Sequence, residues 1–155
     1  MGGDAEDAEK RDCRDMRVVV AGVIERGDRR ILIGQRRRDD TSPLKWEFPG
    51  GKVEVGETAE AALERELREE LGVKLRKSAE IGRVTHKYGE MVEALEIRFF
   101  AAEISEETVT PIAFEQVRWV LPRELGDYEF LAANGELVAN LATGRIKPAE
   151  ILNQG

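Results

Sequence analysis

The sequence predicts an α/β domain in which a mixed sheet is flanked by helices. Three observations carry that expectation. A β-branched run, "RVVVAGVI" at 17–24, is followed after a polar turn by a second apolar run, "ILIGQR" at 31–36. The stretch at 59–71 instead repeats Leu63, Leu67 and Leu71, as one face of a helix does. Alternation of period two returns at 91–103, where Leu95, Ile97, Phe99 and Ala101 are interleaved with Glu96, Arg98 and Phe100.

Taken in order, residues 1–15 mix charges without periodicity and are expected to form a disordered N-terminal tail, with Met16 opening the fold. "ERGDRR" turns the chain between the first two strands, and "RRDDTSPLK" is a polar loop containing Pro43. "WEFPGGKVE" at 46–54 is a short aromatic strand broken by Pro-Gly-Gly. Thr58 suits a helix N-cap and Gly72 the C′ position, which bounds a helix at 59–71. "AEIGRVTHKY" (79–88) and "MVEALEIRFFAAE" (91–103) read as an antiparallel pair about a turn at Gly89. A further strand follows in "EQVRWV" (115–120), then a second helix in "NGELVANLAT" with Leu137, Val138 and Leu141 inward. The folded domain is expected over 16–145, with 146–155 as a C-terminal tail.

A chain of 155 residues suits one core, and 41% hydrophobic with 35% charged residues is a globular composition. The formal net charge of −7 argues against a general grip on a nucleic-acid polymer or an anionic membrane, which needs a basic field. A small phosphorylated substrate stays open, because a local metal or a few arginines reverse the sign at a site. The one cysteine, Cys13, permits no intrachain disulfide and lies in the expected tail. No apolar run approaches the roughly 18 residues of a membrane span, and residues 1–16 hold no apolar signal segment. The expectation is a cytoplasmic protein, monomeric or homodimeric.

The informative stretch is "GGKVEVGETAEAALERELREELGV", 50–73. Advancing about 100° per residue from Leu63 puts Leu67 at about 40° and Leu71 at about 80°, while Glu70 falls at about −20° and Glu66 at about −60°. Glu66 and Glu70 therefore lie on or beside the apolar face, with Glu69 adjoining them. A solvated, ion-paired helix surface explains Glu60, Glu64 and Arg68 well and explains Glu66 and Glu70 badly. Like charges at a partly buried position take up protons or find a cation. Hard divalent ions such as Mg²⁺ prefer such oxygen ligands.

Gly51, then Glu57, then Arg65-Glu66-Leu67-Arg68-Glu69-Glu70-Leu71-Gly72-Val73 resembles the Nudix box, G-x5-E-x7-R-E-U-x-E-E-x-G-U, at every defined position. The resemblance implies a Nudix-type α/β/α sandwich with a mixed sheet between helices. It also implies hydrolysis of a small nucleotide carrying a diphosphate linkage, with Mg²⁺ or Mn²⁺ as cofactor. Carried over, the Gly50 carbonyl, Glu69 and Glu70 would hold metal, and Glu66 would be a ligand or the general base. Arg65 and Glu57 would pair to hold the loop against the helix, with Gly51 and Gly72 as structural box positions.

The "WEFPGGK" entrance and the "QRR" strand end resemble the MutT-like branch, which cleaves (deoxy)nucleoside triphosphates to monophosphate and pyrophosphate. That implies sanitation of oxidised or non-standard nucleotides such as 8-oxo-dGTP. Arg36 or Arg37 would contact phosphate and Lys52 would face charge on the leaving side, although Arg36–Arg38 read equally as a solvated strand end. "AANGELVANL" resembles the segment presenting an asparagine to the base, which makes Asn134 the base reader; a plain turn or helix start is the other reading. Phe48 and Trp46, with Trp119, are core or pocket wall, or stack on a base. Where the branch has a further metal-binding glutamate this chain has Ala113, so Glu115 is the candidate replacement. The rival branch is the CTP/dCTP pyrophosphohydrolases, which share "WEF-GGK" and "RELREELG". A dinucleoside polyphosphate hydrolase is a weaker alternative, since Tyr88 falls short of that branch's tyrosine spacing. A non-catalytic nucleotide-sensing module is a further alternative, disfavoured by the intact box. His86, the one histidine, reads as a strand residue rather than a ligand.

Overall fold

The computed structural model describes residues 16–87, 94–105 and 108–154. The expected tail at 1–15, Cys13, Tyr88 and the Gly89 turn lie outside the described residues.

The strands run β1 (Met16–Ile24), β2 (Ile31–Gln35), β3 (Trp46–Glu47), β4 (Gly50–Lys52), β5 (Leu75–His86), β6 (Ala94–Ile104) and β7 (Gln116–Val120). The α-helices are α1 (Ala59–Leu71), α2 (Gly135–Ala142) and α3 (Pro148–Leu152), with 3-10 turns at Pro122–Asp127 and Ala132–Asn134. The expected sheet is divided in two: a mixed sheet ordered β4-β1-β6-β5 and an antiparallel sheet ordered β3-β2-β7. β1 and β6 run parallel from Met16↔Ala94 to Ile24↔Ala102, and β5 pairs antiparallel with β6. β5 begins at Leu75, earlier than its pattern suggests, because irregularities between Leu75 and Lys77 and between Glu80 and Gly82 break its alternation.

The unbroken apolar run in β1 has a physical cause: both of its faces are covered. Ala21 and Val23 join one core with Trp46, Phe48, Ile97, Phe99 and, from α2, Leu137 and Leu141. Val20 and Ile24 join the other with Phe100, Ala102, Phe114 and the α1 residues Ala59, Ala62, Leu63, Leu67 and Leu71. The central sheet thus separates two helical layers. Residues 146–155, expected as a C-terminal tail, include α3, whose Pro148 and Leu152 are buried. The Glu25 carboxylate accepts a hydrogen bond from the Ala149 N–H at 3.2 Å, tying α3 to the end of β1.

α1 has the expected bounds. The Thr58 hydroxyl accepts from the Ala61 N–H at 3.0 Å, satisfying one of the first-turn donors. Gly72 adopts φ 70° and ψ 27°, and its N–H donates to the Arg68 carbonyl. Among the described residues, no helix is long and apolar enough to cross a membrane.

Candidate active site

The site is assembled where β4 meets α1. β4 lies antiparallel on the middle of β1, with Val20 opposite Gly51 and Ala21 opposite Gly50. That pairing brings Gly51 against the side chain of Glu66 on α1. A Cβ at Gly51 would stand 2.4 Å from the Glu66 Cδ, so the carboxylate occupies the space that any other residue would fill.

Arg65 joins loop to helix. Its Nε donates to Glu57 Oε2 at 2.7 Å and its Nη2 to Glu57 Oε1 at 2.9 Å, a two-bonded fork. The same guanidinium reaches the Lys52 carbonyl at 3.0 Å, Glu66 at 2.8 Å and Glu69 at 3.5 Å. The Arg65 contact holds the Glu57 carboxyl well below the usual range, and Glu57 in turn keeps the Arg65 guanidinium firmly protonated.

Glu70 is the most perturbed carboxylate described here. Burial first, and then the charge of Glu66, push it up to about 8, with Glu47 and Glu69 adding to the effect and the Gly50 N–H opposing it. That N–H donates to Glu70 Oε1 at 3.1 Å, so Gly50 meets Glu70 through its nitrogen. Glu66 is raised by burial against the pull of Arg65, with Glu69 and Glu54 adding repulsion. Glu69 is the outermost of the three, its side chain 58% exposed. The cluster carries more negative charge than its protein partners neutralise, and hard oxygen donors of this kind suit a divalent cation. Among the described residues no three acidic side chains converge at coordinating distance. Arg65 holds Glu66 at 2.8 Å and the Gly50 N–H holds Glu70 at 3.1 Å.

Glu47 belongs to this cluster and was missed at the level of sequence. Burial raises its pKa against the pull of Arg36, and it adds to the shift of Glu70. The available signal was the alternation in Trp46-Glu47-Phe48, which turns the glutamate away from the core that holds both aromatics.

The strand-end arginines are engaged within the protein. Arg36 Nη1 donates to Glu47 at 3.1 Å, Nε to the Thr41 carbonyl at 2.7 Å and Nη2 to the Thr41 hydroxyl at 2.8 Å. Arg37 donates to the Ile112 carbonyl. Arg38, on the loop after β2, pairs with Glu115 at 3.2 Å, so the side chain of Glu115, just before β7, is turned to that loop; Glu47, Glu66 and Glu69 are the acidic side chains that act on Glu70. Lys52 is exposed beside the Arg65 clamp.

On the opposite core face, Phe48 is buried at 3% exposure and packs against Phe130 with centroids 5.3 Å apart. Trp46 stands edge-on to Tyr128 at 5.1 Å. Asn134 lies between the second 3-10 turn and α2, only 6% exposed, and its side chain caps neither. Its Oδ1 is buried without a hydrogen-bond partner. The turn carrying it is fastened to β3, since the Leu131 N–H donates to the Trp46 carbonyl at 3.0 Å.

Two clefts of about 580 and 530 Å³ open at the far end of the β2–β7 ribbon, beside Arg26 and α3. No box residue lines either one, so the carboxylate chemistry marks the site and cavity size does not. Trp119 faces the first of these clefts, with the Arg26 guanidinium 4.6 Å from its ring.

Comparison with known proteins identifies the family. The NUDIX domain family matches residues 15–141. A CTP pyrophosphohydrolase of Escherichia coli K12 is 36% identical over 135 residues, covering 85% of this chain and 96% of the relative. An 8-oxo-dGTP diphosphatase of Haemophilus influenzae is 34% identical over 125 residues, covering 79% and 89%. A solved MutT from a study of Aliivibrio salmonicida and Vibrio cholerae superposes with a TM-score of 0.72 at 29% identity, covering 83% of this chain and 98% of that one. The chain therefore belongs to the Nudix family, as a hydrolase of the MutT type.

Proposed function

We propose that the chain hydrolyses (deoxy)nucleoside triphosphates to monophosphate and pyrophosphate with Mg²⁺, Mn²⁺ substituting, and that it removes oxidised purine nucleotides such as 8-oxo-dGTP. The observation that carries the substrate reading is the buried, unpaired Oδ1 of Asn134. A buried acceptor left unmatched costs about 1–3 kcal/mol, so a ligand supplying a donor recovers that cost. The amide also donates, and it therefore matches an edge that presents an N–H beside a carbonyl. Guanine presents two acceptors, N7 and O6, on its major-groove edge; oxidation at C8 converts N7 to an N–H and completes the match.

The carboxylates fit a divalent cation by donor chemistry and by the elevated pKa of Glu70. Glu69, Glu70 and the Gly50 carbonyl would hold it, with Glu66 as a further ligand or as the base that takes the proton of the attacking water. The bound ion neutralises pyrophosphate charge and acidifies water. Arg65 and Glu57 keep the loop seated on α1, and Lys52 faces the charge that develops on the leaving group. Glu115, paired with Arg38, would join the ligands after a local opening. The substrate is a free nucleotide rather than a polymer, and the setting is the cytoplasm.

The 36% identity to a CTP pyrophosphohydrolase favours CTP or dCTP as the second reading. A screen of 8-oxo-dGTP, dGTP, CTP, dCTP, ADP-ribose and diadenosine polyphosphates with Mg²⁺ decides between them. The highest kcat/KM on 8-oxo-dGTP is expected. Preference for CTP would move the assignment to the second branch, and no pyrophosphate release from any triphosphate would end the triphosphate reading.

A further inference from the structure

The last turn of α1 is held from outside by a segment beyond the box, in which Ala113 stands where the branch has a metal-binding glutamate. Helix ends leave carbonyls without partners. Here the Glu70 carbonyl accepts from the Ile112 N–H at 3.0 Å and the Ala113 N–H at 3.3 Å, and the Leu71 carbonyl accepts from the Thr110 N–H at 3.0 Å. Residues 110–114 thus form a strap across the end of the helix that carries the perturbed carboxylate. Its inner end is anchored by Phe114, 5% exposed, whose ring fills the space in which a Cβ at Gly34 would stand. Its outer edge is fastened by Arg37, which donates to the carbonyl of Ile112, the residue whose N–H holds Glu70. Glu115 continues the attachment through its own N–H, 2.9 Å from the Gln35 carbonyl.

We propose that residues 110–114 are a strap that fixes Glu70 in register with Gly50, and that Arg37 is its latch, a positioning residue rather than a phosphate ligand. Glu70 sits one residue from the end of α1, where helices fray. A frayed last turn would carry its carboxylate away from the Gly50 N–H and from Glu66. Arg37 polarises the Ile112 peptide and thereby strengthens the bond from the Ile112 N–H to Glu70. Outer partners of this kind orient metal ligands without touching the ion. The proposal rests on the metal-holding role of Glu70 given above.

The test compares wild type with Arg37→Ala and Arg37→Lys, reading Mn²⁺ binding to the nucleotide-free protein by electron paramagnetic resonance together with kcat and KM. Arg37→Ala is expected to weaken Mn²⁺ binding by about tenfold and to lower kcat, leaving nucleotide KM at saturating metal within about twofold. Arg37→Lys, which keeps a donor for the Ile112 carbonyl, restores most of the Mn²⁺ affinity. Unchanged Mn²⁺ affinity with a raised KM would overturn the proposal and make Arg37 a phosphate ligand. Unchanged values throughout would overturn it as well. An inactive wild type that still loses Mn²⁺ affinity in Arg37→Ala would count against the proposed function and leave the strap standing.

Discussion

Arg65 and Glu57 are joined by two bonds of 2.7 and 2.9 Å, and the remaining guanidinium nitrogen is shared between Glu66 and Glu69. One side chain therefore sets both the path of the loop and the position of the carboxylates that the loop faces. The fork needs a planar guanidinium, since a lysine ammonium is a single point donor.

Arg65→Lys is accordingly expected to keep the charge and lose the geometry. Turnover should fall by at least about tenfold, because misplacement of a reacting group by an ångström is costly. Thermal stability should fall by only a few degrees, since this clamp lies at the protein's edge. Kinetics paired with a melting curve decide the matter; wild-type turnover would mean that charge alone suffices.

Glu69 is the most exposed of the three box glutamates on α1, its side chain 58% accessible. Glu69→Gln should therefore fold normally and lose most turnover, by about 100-fold or more if the carboxylate holds metal. Circular dichroism checks the fold and pyrophosphate release checks the rate. Near-wild-type turnover would place the metal elsewhere.

The pKa of Glu70, raised to about 8 from 4.5, has a consequence for metal-free protein. A carboxyl that binds its proton more tightly folded than unfolded contributes stability that is complete below about 4.5 and lost as pH rises through about 8. Between those limits the metal-free protein should lose stability with rising pH, by at most about 1.4 kcal/mol per pH unit for this one group. If Glu70 holds a divalent cation, the ion takes the place of the proton, and added Mg²⁺ should raise Tm most at pH 8. Glu70→Gln should flatten the pH dependence and remove the Mg²⁺ effect. Melting curves from pH 5 to 8.5, with Mg²⁺ or with a chelator, test all three; a flat wild-type profile would contradict the assignment.

The strands and α1 were legible because local rules determined them. Thr58 and Gly72 fixed the ends of α1, and the β-branched run at 17–24 marked a strand. The division of the sheet was not legible, since it depends on which edges pair, and Ile31↔Val120 joins residues far apart in sequence. α3 was read as tail because a five-residue helix leaves no periodicity; its Pro148 and Leu152 are buried by partners far away in the chain. In the site, the angular positions of Glu66 and Glu70 followed from the helix alone. What Arg36 and Arg37 do did not follow, since their partners Thr41, Glu47 and Ile112 are set by loop geometry. Glu47 was legible in part, since the alternation of Trp46-Glu47-Phe48 turns it from the core, while its partner Arg36 was not.

Asn134 separates stability from specificity most sharply. It is buried, its Oδ1 has no partner, and its side chain caps no helix, so in the free protein it is a burden. Replacing an unmatched buried polar group by an apolar one of similar shape is neutral or stabilising. Asn134→Leu should therefore leave Tm unchanged or raise it. If the amide reads the base, the same variant should lose discrimination between 8-oxo-dGTP and dGTP by about 1–3 kcal/mol, roughly 5- to 150-fold in the ratio of kcat/KM. Hydrolysis of the triphosphate itself should persist, because the carboxylates on α1 are untouched. A variant that melts lower and keeps its selectivity would show instead that Asn134 is a structural residue and that the base is read elsewhere.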